Sequence, residues 1–139
     1  MNRLLSIIFF TMISCNSQSG DSSLKSTMIS DKGIGPVNKV VLDKDIDPVL
    51  AKSGEKLFNQ LCASCHMINK ESIGPAIEGI LNRRSTEWVM NMILNPTEML
   101  EKDPQAKKLL KEYNNVYMYN QHLIEEEVRE IIEYFRTIN

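Results

Sequence analysis

The period of the apolar positions changes along the chain. Leu4 to Ile13 is a nearly unbroken apolar run, while Asn16 to Lys32 is dominated by Ser, Asp, Lys and Gly. From about residue 47 onward apolar side chains recur every three or four positions, the spacing of one buried helical face. Asp47-Pro48 reads as a helix start, with aspartate as N-cap and proline at the first helical position. Behind it Leu50, Gly54, Leu57, Phe58 and Leu61 share a face. A second helix is predicted from near Ser85 to just before Asn95-Pro96, burying Trp88, Met92 and Ile93 or their neighbours. Asp103-Pro104 repeats the cap-and-proline start, and Ala106, Leu109, Leu110 and Tyr113 line that third helix. The fourth runs from about Ile124 to the C-terminus with Val128, Ile131, Ile132 and Phe135 inward. Glu125-Glu126-Glu127 fills its first turn, where negative charge suits the helix dipole, yet no Ser, Thr or Asp stands at its cap. No stretch alternates as a strand would, so the domain is expected to be all-α with four main helices over residues 43–139. Residues 33–42 (GIGPVNKVVL) are too apolar for a solvated linker and are expected to pack on the domain as an extended arm.

Composition narrows the class. The 139 residues are 42% hydrophobic and 24% charged with a formal net charge of -2, enough for one domain with its own core. No basic cluster points to nucleic acid. Met1-Asn2-Arg3 followed by ten mostly apolar residues is too short to span a bilayer, which takes about 20; it fits a secretory signal. The run ends Met12-Ile13-Ser14-Cys15, which looks like a bacterial lipobox: residues 1–14 would be removed and Cys15 lipidated. A plain signal peptide with an incidental Cys15 is the alternative. Residues 15–32 then form a flexible tether, the seventeen residues after Cys15 reaching roughly 20–25 Å as coil. The mature chain would sit on the periplasmic face of a bacterial membrane.

The chemistry is concentrated in Cys62-Ala63-Ser64-Cys65-His66. Two cysteines three positions apart present their sulfurs to the two vinyl groups of one haem, and the next histidine points at its iron. A structural zinc site needs four ligands, and beyond this segment only Cys15 and His122 remain. A thioredoxin-like CxxC lacks its βαβ surroundings. The motif is a covalent haem c site.

From Gly54 to Tyr134 the chain resembles the monohaem class I c-type cytochromes. The resemblance implies their fold, with Gly54 and Phe58 packed against Tyr134 and Ile131 of the last helix. Ile73-Gly74-Pro75 is similar to the family's proline loop, so the Pro75 carbonyl is expected to accept a hydrogen bond from His66. Arg83 and Arg84 resemble its propionate-binding arginine, and Trp88 is expected in the core against the haem. Met118, ahead of the last helix, stands where the family places the sixth iron ligand, although Met118-Tyr119 replaces the usual Met-Pro. Met67 adjoins the proximal histidine, Met90 and Met92 lie in a helix, and Met99 and His122 are the other ligand candidates.

A His/Met haem with both axial positions filled implies a monomeric electron carrier, not an enzyme, exchanging electrons with reductase and oxidase partners. A fixed haem subunit of a larger respiratory complex, or a haem enzyme or ligand sensor with an open sixth position, are the alternatives. The stretch Arg84 to Tyr113 is similar to small cytochromes that accompany nitrous oxide reductase.

Overall fold

The computed structural model describes residues 31–139; the leader, Cys15 and almost all of the tether lie outside the described residues. Within them the chain is all-α, with no strand. Helix α1 is Pro48–Leu61, α2 Ile80–Arg83, α3 Thr86–Leu94, α4 Pro96–Lys102, α5 Pro104–Glu112 and α6 Glu125–Thr137.

Caps set most of these boundaries. The Asp47 carboxylate accepts from the Val49 and Leu50 amides, and Ser85 Oγ accepts from Trp88 N at 3.2 Å. Asp103 ends α4 and caps α5 by accepting from Gln105 and Ala106. Where four helices were expected, two more are present. Pro96 not only stops α3; its missing N–H also suits the first position of α4, whose Glu98 and Lys102 pair at 2.8 Å. The other, α2, is a single turn entered through Gly79 at φ +68. At α6, where no short polar cap exists, Glu127 reaches back to accept from Ile124 N at 3.0 Å.

Helices α1 and α6 form the central crossing. A Cβ on Gly54 would stand 2.0 Å from the Glu130 carbonyl oxygen, so only glycine lets the two backbones approach this closely. One turn along α1, the Phe58 ring packs against Tyr134 (5.7 Å between centroids) and edge-on to Phe135 (5.8 Å). Phe58, Trp88, Val89, Met90, Met99, Val128, Ile131, Ile132 and Phe135 build one continuous core.

Buried polar side chains fasten the non-helical segments to this core. Asn91, almost fully buried, accepts from Val37 N at 2.9 Å and donates to the carbonyls of Val37 and Lys32. Glu87 accepts from Val40 N, Asn95 donates to Ile34 O, and Met99 Sδ accepts from Ile34 N. Residues 31–40 thus lie along α3 and α4 as an extended arm with Val37 inside. At the opposite end of α6, buried Glu133 pairs with Arg129 and Arg136. Arg136 also donates to the carbonyls of Asp43 and Lys44, which holds the approach to α1.

Two outcomes follow from these contacts. Gly54→Ala is expected to lower the unfolding free energy by about 1–3 kcal/mol through overpacking, read from the denaturant midpoint; an unchanged midpoint would mean that the helices do not meet at residue 54. Asn91→Ala leaves the Val37 amide without its acceptor. Its hydrogen exchange should accelerate to that of a solvent-exposed arm, while amides of α1 and α6 keep their protection.

Candidate haem site

The site begins where α1 ends. Cys62 N donates to Phe58 O at 2.8 Å, and both Cys65 N and His66 N return to Cys62 O at 3.0 and 2.9 Å. The chain therefore makes one further tight turn after the helix. A separation of three residues in such a turn brings the Cys62 and Cys65 thiols to one side and delivers His66 directly after them. Both cysteines are half-buried and unbridged. Burial, reinforced by the neighbouring Cys65 sulfur, pushes the Cys62 thiol up to about 11. Ala63 and Ser64, which need carry no chemistry, face solvent.

Residues 67–79 fold back as a loop behind His66. Gly74 N donates to Cys65 O at 2.9 Å, Ile77 N to Met67 O and Glu78 N to Ile68 O, so its two legs are pinned together. This brings the Pro75 carbonyl 2.9 Å from His66 Nδ1. A carbonyl only accepts, so Nδ1 carries the proton and Nε2 keeps a free lone pair for a metal. The neighbouring glycine is equally constrained: a Cβ on Gly74 would lie 2.5 Å from His66 Cε1.

Arg83 stabilises the same loop, with Nη1 donating to Glu78 O at 2.6 Å and Nη2 to Ala76 O at 2.8 Å. Burial first, then the nearby Glu71 carboxylate, raises the Tyr113 hydroxyl above its ordinary range. Arg84 lies over the Trp88 ring, 5.2 Å from its centroid. Its Nη1 donates to Arg83 O, while its buried Nε has no acceptor in the protein. Trp88 is in the core and donates its indole N–H to Asp103 Oδ1 at 3.1 Å.

Met118 lies in the non-helical segment between α5 and α6, half-buried and packed on the core. Asn114 and Asn115, both left-handed (φ 55 and 58), turn the chain out of α5. Asn120 ties the segment to Leu94 O, and His122, also left-handed, is exposed. Around Met118 the side chains of Val116, Tyr117 and Tyr119 are exposed, as are Met67 and Ile73 beside the motif.

The donor set fits haem c: two free thiols one turn apart, an imidazole with its outer nitrogen already satisfied, and a buried arginine nitrogen lacking an acceptor. Sequence reasoning missed three contributors, namely Gly74 against the imidazole, Asp103 holding Trp88, and the carbonyls that engage Arg83. Of these only the Gly-Pro pair leaves a trace in the sequence; the others depend on groups brought together from separate segments.

The cytochrome c family model matches residues 51–139. Among solved structures the chain is similar to a cytochrome c from Rhodothermus marinus, with 41% identity and a TM-score of 0.73, over 75% of this chain and 89% of that one. An engineered form of the Rhodothermus marinus protein, bound to a carbene intermediate, shares 41% identity over 75% and 89% of the two chains, with a TM-score of 0.69. The cytochrome c domain of the pp3183 protein from Pseudomonas putida shares 34%, covering 60% of this chain and 85% of that domain, at a TM-score of 0.56. No curated protein gives a significant match. The turn that gathers Cys62, Cys65 and His66, and the helical frame that holds it, are those of a family defined by covalent haem c: this chain belongs to the cytochrome c family.

Proposed function

We propose that the protein is an exported electron carrier, lipid-anchored through Cys15, whose haem is ligated by His66 on one face and Met118 on the other. The observation that carries the axial assignment is how the sulfurs are sorted. Met90 and Met99 are 1% and 0% exposed inside the core, and the Met99 sulfur already accepts the Ile34 N–H. Met92 belongs to helix α3, and Met67 is attached directly to His66. Met118 alone among the described methionines combines partial burial with a non-helical segment outside the core helices. His122 is exposed, and its own amide is held by Asn120 Oδ1 at 2.7 Å.

When bound, the haem supplies a one-electron couple. The chain's part is to hold the His66 Nδ1–H in a hydrogen bond to the Pro75 carbonyl, so that the ring presents Nε2 and is a better donor. The Arg84 Nε, buried without an acceptor, suits a propionate; Arg83 supports the proximal loop from behind. With His66 and Met118 both holding the iron no position would be open, which would favour electron transfer over oxygen or peroxide chemistry. Exposed Ile73, Tyr117 and Tyr119 suit a small, transient contact with a reductase or oxidase, nitrous oxide reductase among the candidates. Among the described residues no helix is long and apolar enough to cross a membrane; the proposed attachment is the lipid at Cys15, with the tether behind it.

Met118→Ala should abolish the thioether-to-iron charge-transfer band of the oxidised protein and let carbon monoxide bind the reduced form readily. A band that survives unchanged assigns the sulfur elsewhere. Cys15→Ser should move the haem protein from the membrane fraction to the soluble fraction, without altering its visible spectrum; unchanged fractionation would remove the lipid anchor.

A further inference from the structure

One dipeptide grips the His66 ring at two places. Pro75 accepts the Nδ1 proton at 2.9 Å. Gly74 stands against the ring itself: a Cβ there would lie 2.5 Å from Cε1, 2.8 Å from Nδ1 and 3.1 Å from Nε2. Both nitrogens are only slightly farther than the carbon between them, as for a point over the ring face and not one beyond its edge. Gly74 cannot easily retreat. It is buried, its N–H is bound to Cys65 O at 2.9 Å, and its carbonyl accepts from Ser72 N at 3.0 Å. Nor does its backbone require glycine, because among the described residues the positive-φ glycines are Gly33 and Gly79. What excludes a side chain at residue 74 is the imidazole.

A single hydrogen bond at Nδ1 leaves the ring free to swing about that contact, since the second torsion of a histidine side chain is broad. A backbone atom against the ring face removes this freedom. We propose that Gly74 is a positioning residue that fixes the rotation of the His66 ring and thereby tunes the haem iron it ligates. The proposal rests on His66 being the proximal ligand. A methyl group at residue 74 would push the ring away and lengthen its hydrogen bond to Pro75. The imidazole then becomes a poorer donor, and the reduced iron is favoured.

The test uses the holo-protein carrying Gly74→Ala. The reduction potential should rise by a three- to tenfold change in the redox equilibrium, at most about 59 mV for one electron. The g-anisotropy of the oxidised low-spin signal, which reports the imidazole plane, should change with it. Ala106→Gly, a helix-weakening change at the buried position of α5, should lower the unfolding midpoint and leave both readouts alone. A Gly74→Ala protein that loses stability but keeps the wild-type potential and g-values would overturn the proposal. If that variant yields no holo-protein, the reduced wild type decides. A nuclear Overhauser contact between the Gly74 α-protons and His66 Hε1 is expected, and its absence refutes the face contact. The ligand reading fails separately, on a wild-type spectrum that is not low-spin.

Discussion

The structure depends on how closely α1 and α6 cross. At Gly54 the backbone of one helix touches the Glu130 carbonyl of the other, in a space with no room for a methyl group. Phe58, Tyr134 and Phe135 then fill the volume one turn further on. The haem motif is the C-terminal continuation of α1, so this crossing fixes where Cys62, Cys65 and His66 stand relative to the core. A looser crossing would still be a pair of helices, but it would deliver the motif to a different place.

The motif's geometry is completed by backbone groups. Successive main-chain bonds from Cys62, Cys65 and His66 form the turn, and the loop behind it presents the Pro75 carbonyl to the histidine. The loop in turn needs support, because it has neither helix nor strand to satisfy it. Arg83 binds two of its carbonyls. Much of the site is thus a chain of backbone satisfaction, in which a side chain often serves to hold a carbonyl in place.

Three buried polar residues serve a related purpose elsewhere. Asn91 binds the arm, Asp103 joins a helix cap to the Trp88 indole, and Glu133 organises the arginine that holds residues 43 and 44. Each sits on a helix or at its cap and holds a segment distant in sequence, Glu133 doing so through Arg136. The apolar core supplies the bulk of the burial, whereas these polar contacts choose which irregular segment lies where.

The sequence by itself determined what is local. Period, proline and short polar caps mark α1, α3 and α5, and the Cys62–His66 spacing names the cofactor, because each signal lies within a few consecutive residues. Pro96 is read correctly as a stop, but a proline looks the same whether or not a new helix follows, and α4 could not be told from a loop. The α6 cap was illegible for a comparable reason, since Glu127 acts from inside the helix. Only the tertiary structure decided the rest: that Gly74 faces an imidazole, that Asp103 accepts the Trp88 indole hydrogen bond, and that the Met99 sulfur is enclosed by the arm. These relations join positions from eight to sixty-five residues apart. A contact between distant segments leaves no periodic mark on either; it exists only once the core has brought them together.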